Sequence, residues 1–243
     1  MKLIDDLISD LTDTDNASVD AGGVTEVHDV HVGYTWIGVL SRNCGVAKNL
    51  GERHDYMVRN IGKLTEKTAS ELAEYLKSWN MIEAGIGLAA VNSMIAPRGK
   101  ELNVTDFLLE NGVGKKIAMV GHFPMVNDLR KVADELWVFE RQPQKGDLPD
   151  TAAEHLIPQA DIVAITSSSI VNKSIERLLE LSQGFTIVLG PSTPMSEVLF
   201  DYGVDMIAGI RVTDEARMMA KIAQGGGKVK QFKDVIEFLV MER

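Results

Sequence analysis

Three residues that can exchange protons follow predicted strands in the second half of the chain. His122 stands in the sequence GHFP directly after one buried run, and Glu140 closes the next. Asp147, with Asp150 nearby, lies in a loop rich in Pro and Gly. Imidazole and carboxyl groups act as general acids and bases, so His122, Glu140 and Asp147 are the candidate catalytic residues. The alternatives are a structural histidine at the strand end and solvated acidic turn residues.

Glycines, hydroxyls and amides fill the remaining loops after the predicted strands. Loops at the carboxyl ends of parallel strands lead into helix N-termini, whose free N–H groups attract an anionic or carbonyl oxygen. The candidate ligand-binding residues are therefore Gly121, Phe123, Thr166, Ser167, Ser168, Asn172, Gly190, Pro191, Ser192 and Thr193, with Asn92 from the first half of the chain. For Asn172, and for Thr193 before Pro194, we predict helix capping, which can coexist with donation to a ligand.

The first of these loops argues against a tightly held dinucleotide. It reads GHFP where a dinucleotide-binding fold needs G-x-G-x-x-G, so His122 and Phe123 occupy the space in which a pyrophosphate requires bare backbone. NAD-dependent oxidoreduction is therefore disfavoured, and no cofactor is assigned. Glu140 nevertheless lies about twenty residues after Gly121, where nucleoside-binding folds place an acid on ribose hydroxyls. A flat heterocycle stacking on Phe123 suits this loop.

The cysteine and the histidines form no recognisable metal-binding pattern. Cys44 is the only cysteine, which excludes an intramolecular disulfide and a thiolate-rich metal site. His28 and His31 are three residues apart on a predicted strand, a spacing that points them to opposite faces. His54 and His155 have no second ligand nearby in the sequence. We therefore predict no intrinsic metal site.

The first half of the chain predicts a small α+β domain. Residues 1–11 carry apolar side chains at helical spacing, and Val-rich and aromatic segments on either side of Gly33 predict a β-hairpin. The pattern from Thr68 to Glu71 predicts a capped helix. Further predictions are hairpin strands at 24–32 and 34–40, an irregular segment with at most one short strand at 42–62, a buried helix at 81–95 and a domain boundary after residue 97.

Because an unpaired buried amide costs about 1–3 kcal/mol, Asn92 should bond across the domain interface or face the ligand cleft.

The second half alternates strand and helix patterns, as a parallel sheet requires. Its strand candidates are short runs rich in Val and Ile without internal charge, which is typical of strands buried on both faces. The predicted strands lie at 116–120, 135–139, 161–165, 186–189 and 206–209, and the predicted helices at 127–133, 172–181, 194–202 and 214–224. Right-handed crossovers would give a doubly wound, mostly parallel sheet that binds ligands at the carboxyl ends of its strands.

Composition narrows the class of partner. The chain has 243 residues, 45% of them hydrophobic, which suffices for a core in each of two domains. Its net charge of −10 and the absence of Lys or Arg runs make nucleic acid an unexpected partner. The opening segment contains neither a signal-peptide pattern nor a membrane span, so we expect no membrane partner and a cytoplasmic location. A homo-oligomer is compatible with the chain's size.

Several of these loops together resemble the uncharacterised family called the "putative heavy-metal chelation" domain. The similarity rests on GHFP, GDLPD with the following Ala152-Ala153-Glu154, the Ile165–Asn172 segment and GPSTP with Phe200 and Gly203. CGVA at 44–47 and GLAAVNS at 87–93 resemble that family's companion N-terminal domain. The resemblance implies an enolase-N-terminal-like domain at 1–97, a Rossmann-like domain at 98–243 with partial similarity to methyltransferases, and a cleft between them.

These observations lead to two functional hypotheses. The first is an enzyme that condenses, hydrolyses or otherwise modifies a small polar heterocycle, pterin-, nucleoside- or metallophore-like, in the cleft between the domains. It follows from the crowding of His122, Glu140 and Asp147 with hydroxyl groups at one sheet edge. The second is a non-catalytic protein that binds such a compound or its metal complex, which needs the same pocket but no proton-transfer group.

Overall fold

A three-stranded antiparallel sheet and an eight-stranded, mostly parallel sheet form the two-domain α/β architecture. The computed structural model describes residues 1–15, 25–52 and 57–243. Val24, the first residue of the predicted hairpin, and His54 lie outside these ranges. The predicted fold class is confirmed. Among the described residues, no helix combines the length and apolar character needed to cross a membrane.

The first domain packs its sheet against one long buried helix. Its elements are α1 (Lys2–Asp15), β1 (Asp29–Val32), β2 (Trp36–Leu40), β3 (Cys44–Lys48), α2 (Ala69–Ala73) and α3 (Met81–Met94). The predicted hairpin forms with Val32 opposite Ile37. The predicted capping box also forms, because the Thr68 hydroxyl accepts from the Glu71 N–H and the Glu71 carboxylate accepts from the Thr68 N–H.

Strand β3 is the one short strand that the prediction for the segment 42–62 allowed. It pairs antiparallel with β2 and packs against α3, where a Cβ on Gly45 would lie 2.0 Å from the Ala89 carbonyl oxygen. The glycine that suggested a loop is instead needed for this close approach between strand and helix. Its role depends on a residue far along the chain, so local sequence could not reveal it.

Helix α3 is buried on nearly all sides, as its apolar sequence predicts. Asn80 caps its N-terminus by accepting from the Ile82 and Glu83 N–H groups. The Glu83 carboxylate is 4% exposed and receives hydrogen bonds from Arg59 and Ser78. Burial alone would raise the pKa of Glu83, but these hydrogen bonds outweigh burial and hold the pKa below its usual value.

The second domain has the strand order of a Rossmann fold. Its elements are β4 (Lys100–Glu101), α4 (Val104–Asn111), β5 (Lys116–Val120), α5 (Val126–Val132), β6 (Glu135–Glu140), β7 (Leu148–Pro149), α6 (Ala153–Leu156), β8 (Ile162–Thr166), α7 (Ser168–Val171), α8 (Ile175–Leu181), β9 (Phe185–Leu189), α9 (Val198–Asp201), β10 (Met206–Val212), α10 (Glu215–Ala223) and β11 (Ile236–Glu242). The parallel strands run β7-β6-β5-β8-β9-β10, and β11 and β4 add an antiparallel edge. The order reverses between β5 and β8, which is the switch point where open α/β sheets bind ligands.

Two predicted helices are shorter than their sequences indicate. The segment 172–181 forms a helix only from Ile175, because Lys173 adopts a left-handed backbone with φ of 67°. The segment 194–202 forms only α9. Just before this segment, the Ser192 hydroxyl accepts from the Lys48 N–H of the first domain. Within it, the Ser196 hydroxyl donates to the Asp10 carboxylate. These long-range bonds hold the chain irregular where local propensity favoured a helix.

Both predicted caps are therefore wrong. Thr193 precedes no helix, and its hydroxyl donates to the Gly190 carbonyl oxygen at 2.7 Å. Asn172 follows α7, and its side-chain oxygen accepts from the backbone N–H and the hydroxyl of Ser174. We also expected a helix N-terminus directly after Gly190–Thr193, and this expectation is wrong because α9 starts only at Val198.

The two domains are joined by hydrogen bonds from buried polar groups. The Asn92 amide donates to the carbonyl oxygens of Val46 at 2.9 Å and of Ser192 at 3.0 Å. The Lys48 N–H donates to the Ser192 hydroxyl at 2.8 Å. The prediction that Asn92 bonds across the interface is confirmed. The domain boundary after residue 97 stays a prediction.

Candidate functional site

The switch point between β5 and β8 is tightly packed at Gly121. This residue has φ of 96°, and its N–H donates to the Phe139 carbonyl oxygen at 2.8 Å. A Cβ there would lie 3.2 Å from the Thr166 Cβ, so glycine serves both the backbone conformation and the close approach of the two loops. The fold thus brings Gly121 and Thr166 together although they are far apart in sequence.

His122 and Asp147 form a hydrogen-bonded pair beside this point. The imidazole Nδ1 lies 2.9 and 3.0 Å from the Asp147 carboxylate oxygens, and the Asp147 side chain has no exposed surface. The Gln144 N–H donates to the same carboxylate at 3.0 Å, and Arg130 Nη2 lies 3.9 Å from it. The Asp147 oxygens therefore act as acceptors for the Gln144 N–H and the imidazole, with a guanidinium nearby.

This arrangement assigns the proton on the imidazole ring of His122. Because an ionised carboxylate only accepts, Nδ1 is the donor, and Nε2 of the neutral ring carries a lone pair. Nε2 has no hydrogen-bond partner among residues 1–15, 25–52 and 57–243, and the side chain is 24% exposed. An oriented, unengaged Nε2 is the geometry of a general base.

Glu140 fixes the backbone of the same loop. Its carboxylate accepts from the His122 N–H at 3.1 Å and from the Arg141 N–H at 2.8 Å. Each oxygen retains a second lone pair that can accept from a ligand N–H or hydroxyl. The structure thus brings together all three predicted catalytic residues.

The predicted hydroxyl groups mostly bond within their own loops. The Thr166 and Ser168 hydroxyls lie 2.8 Å apart, and the buried Ser167 donates its N–H to the Leu189 carbonyl oxygen. Gly190, with φ of 126°, lies so close that a Cβ would be 3.1 Å from the Ser167 hydroxyl. These residues shape the crevice wall between β8 and β9.

The other ligand-binding candidates fall into three places. Phe123 stays beside Gly121, where it packs partly against the core. Ser192 and Thr193 are buried at the domain interface with Pro191 and Asn92. Asn172, which bonds to Ser174, lies beyond α7.

A cavity of about 20 Å³ lies between the domains, lined by Cys44, Asn92, Pro191 and Thr193 among others. It can hold about one water molecule and no substrate. The Asn92 side-chain oxygen is buried without a hydrogen-bond partner in the described part of the chain. Burial, with smaller contributions from Glu215 and Asp29, raises the pKa of Cys44 to about 12, so this thiol stays protonated and is a poor nucleophile.

Two partly buried lysines were missing from the sequence-based set. Lys48 ends β3, and Lys173 follows Asn172 directly. The Lys173 ammonium donates to the Val171 carbonyl oxygen at 2.7 Å, and burial lowers its pKa to about 8. The sequence offered one signal for each lysine. Lys48 ends the apolar run CGVAK, and Lys173 stands beside a hydroxyl-rich loop.

Replacing Lys173 by Met should change how stability depends on pH. The pKa of Lys173 falls from 10.5 to about 8 on folding, so the unfolded chain binds more protons between those values. Stability from this residue therefore rises as pH increases through that window. Between pH 8 and pH 10.5 the free energy of unfolding of the wild type should rise by about 1 kcal/mol relative to that of Lys173→Met, after allowance for solvent screening.

Urea unfolding at pH 8 and pH 10.5 measures this difference. Lys131→Met is the matched control, because the Lys131 ammonium is 71% exposed and bonds to Asp128. If the free energies of unfolding of wild type and Lys173→Met change by the same amount between the two pH values, the Lys173 amine is not desolvated.

The described ranges contain no group of three or more His, Cys, Asp or Glu side chains that could hold one metal ion. His31 donates from Nδ1 to the Met219 carbonyl oxygen, and its Nε2 lies 3.1 Å from Asp29. His28 and His155 are exposed. The predicted lack of a metal site stays a prediction.

A Rossmann-ordered sheet with polar loops at its switch point, joined to a small antiparallel domain, defines a two-domain α/β protein of the Rossmann-like class. The chain belongs to the DUF364 family, described as "Putative heavy-metal chelation", whose model matches residues 103–241. A second model with the same description, DUF4213, matches residues 16–95. The family resemblance inferred from the loops is confirmed.

One relative matches most of the sequence, and two solved structures share the fold across nearly the whole chain. The uncharacterized protein MJ0500 of Methanocaldococcus jannaschii is 28% identical over 184 residues, which is 70% of each chain. A DUF364 protein of unknown function from Desulfitobacterium hafniense has a TM-score of 0.81 and 29% identity, covering 97% of this chain and 99% of that one. Another from Pyrococcus horikoshii has a TM-score of 0.80 and 24% identity, with 98% and 100% covered.

Proposed function

We propose that this protein is an enzyme that modifies a small polar heterocycle in the crevice between the β5, β6 and β8 loops and the first domain. The heterocycle is pterin-, nucleoside- or metallophore-like, which agrees with the family's link to heavy-metal chelation. The observation that carries the proposal is the His122–Asp147 pair, whose buried carboxylate orients an unengaged Nε2 at the switch point.

Each residue has a role in this mechanism. Nε2 of His122 takes a proton from the substrate or from an attacking water, and the Asp147 carboxylate stabilises the imidazolium that forms. Glu140 accepts hydrogen bonds from ring N–H or hydroxyl groups of the ligand. One of the Thr166 and Ser168 hydroxyls donates to the other, and the accepting hydroxyl donates its own proton to a ligand carbonyl. Gly121 and Gly190 allow close approach of the ligand to the backbone. Asn92 and Ser192 hold the first domain over the crevice.

A non-catalytic binding protein is the second candidate. Its support is that the Thr166, Ser168 and Thr193 hydroxyls and both Glu140 oxygens already have hydrogen-bond partners. Such a prearranged wall suits tight binding, because little reorganisation accompanies ligand entry.

Mass spectrometry distinguishes the candidates. The purified protein is incubated with pterin, 7,8-dihydropterin, guanosine and nicotianamine, and bound and released compounds are weighed separately. An enzyme returns a compound of changed mass, whereas a binding protein returns it unchanged. Glu140→Ala should weaken binding of whichever compound is retained. Equal retention by wild type, Glu140→Ala and Gly190→Val, with folding verified by circular dichroism, would place the ligand outside this crevice.

A further inference from the structure

Lys48 places a cation beside the crevice from the first domain. Its Nζ lies 4.9 Å from the centre of the Trp36 ring, and its backbone N–H is held by the Ser192 hydroxyl of the second domain. Within the part of the chain that the structure describes, the ammonium has neither an ion-pair partner nor a hydrogen-bond acceptor. The position is thus fixed, and the charged group is left without an acceptor.

The surroundings of this ammonium indicate a missing anion. Burial lowers the pKa of Lys48, and the negative charge of Glu140 partly opposes that effect. Glu140 is therefore close enough to act on Lys48, yet the two do not form an ion pair. An ammonium partly shielded from water without a protein acceptor is costly, and a ligand anion beside it would supply the acceptor.

The neighbouring cations are already engaged. Arg130 donates to the Gly146 carbonyl oxygen and lies near Asp147, and Arg141 lies 3.7 Å from Asp150. Lys48 is left as a cation without an ion-pair partner in the described ranges, and the charge of Glu140 acts on it. One cation opposite one carboxylate matches a ligand with a single negative charge and with hydrogen-bond donors at its other end, which favours a carboxylate over a phosphate dianion.

We infer that Lys48 binds a carboxylate group of the ligand, so that the substrate is a planar heterocyclic carboxylic acid held between Lys48 and Glu140. The inference rests on the proposed function, because it assigns the substrate class of the same crevice. The carboxylate lies toward the first domain, and the ring donors lie toward Glu140 and His122.

Matched pairs of probes test this inference by calorimetry. The pairs are pterin-6-carboxylate with pterin and orotate with uracil, which differ in the carboxylate. The wild type should bind the acid about tenfold or more tightly than its neutral partner in at least one pair. Lys48→Met should remove that preference and Lys48→Arg should keep it. Lys116→Met is the control, since Lys116 also faces a Trp ring but lies at the opposite end of β5 and pairs with Glu135.

The outcomes separate this inference from the proposed function. Binding of heterocycles with no preference for the acids, or a preference unchanged in Lys48→Met, overturns the inference and leaves the proposed function intact. If no heterocycle binds, the proposed function fails for these classes, and acetate then tests Lys48 alone. In protein with ¹³C-methylated lysines, a saturable shift of the Lys48 signal with acetate supports the inference, and a shift no larger than that of Lys131 overturns it.

Discussion

Asp147→Asn is expected to slow conversion of the bound heterocycle by about 100-fold or more while leaving its affinity nearly unchanged. The neutral amide cannot stabilise the imidazolium that forms when His122 Nε2 takes a proton. Its NH₂ group also competes with Nδ1 as a donor, which favours the ring tautomer whose Nε2 is protonated and cannot act as a base. Asn has nearly the same shape as Asp, so the packing around this buried side chain should be kept.

The rate is measured under single-turnover conditions on the compound identified by mass spectrometry. Asp150→Asn is the matched control, because it makes the same chemical change nearby but affects only an exposed carboxylate near Arg141. Wild-type turnover in Asp147→Asn would remove the His122–Asp147 pair from the mechanism. Loss of affinity in place of rate would favour the binding-protein alternative.

Gly87→Ala should lower the free energy of unfolding by about 3 kcal/mol. A Cβ on Gly87 would lie 2.0 Å from the backbone nitrogen of Leu76 and 2.6 Å from its Cα. Backbone atoms cannot turn aside as a flexible side chain can, so α3 would have to separate from residues 74–77. Alanine is favoured over glycine inside a helix by about 1 kcal/mol, which is too little to offset this overlap.

Urea unfolding followed by circular dichroism measures the loss. Gly227→Ala is the control, because the nearest atom to its Cβ would be the Thr35 hydroxyl at 3.4 Å, an ordinary contact. Wild-type stability in Gly87→Ala would show that the packing of α3 is looser than the structure indicates.

The amino-acid sequence by itself determined five parallel strands of the second domain, β5, β6, β8, β9 and β10, whereas the seven-residue strand β11 (Ile236–Glu242) was not predicted. Continuous runs rich in Val and Ile are typical of strands buried on both faces of a parallel sheet, so β5 was predicted with its full bounds and the other predicted strands within a few residues. The loops after β5 and β6 were also identified correctly as the place where His122, Glu140 and Asp147 meet. That followed because parallel strands end at one edge of the sheet.

The tertiary structure alone decided which polar groups are engaged and which are left free. Thr193 was predicted to cap a helix, but Ser192 and Ser196 bind the first domain and prevent that helix from starting at Pro194. Lys48 escaped notice because nothing near it in sequence indicates that it lies over Trp36 and bonds to Ser192 of the other domain. Local patterns fix an element through periodicity and capping, whereas contacts between distant residues depend on how the elements pack, and that packing determines the charges and hydrogen bonds of the site.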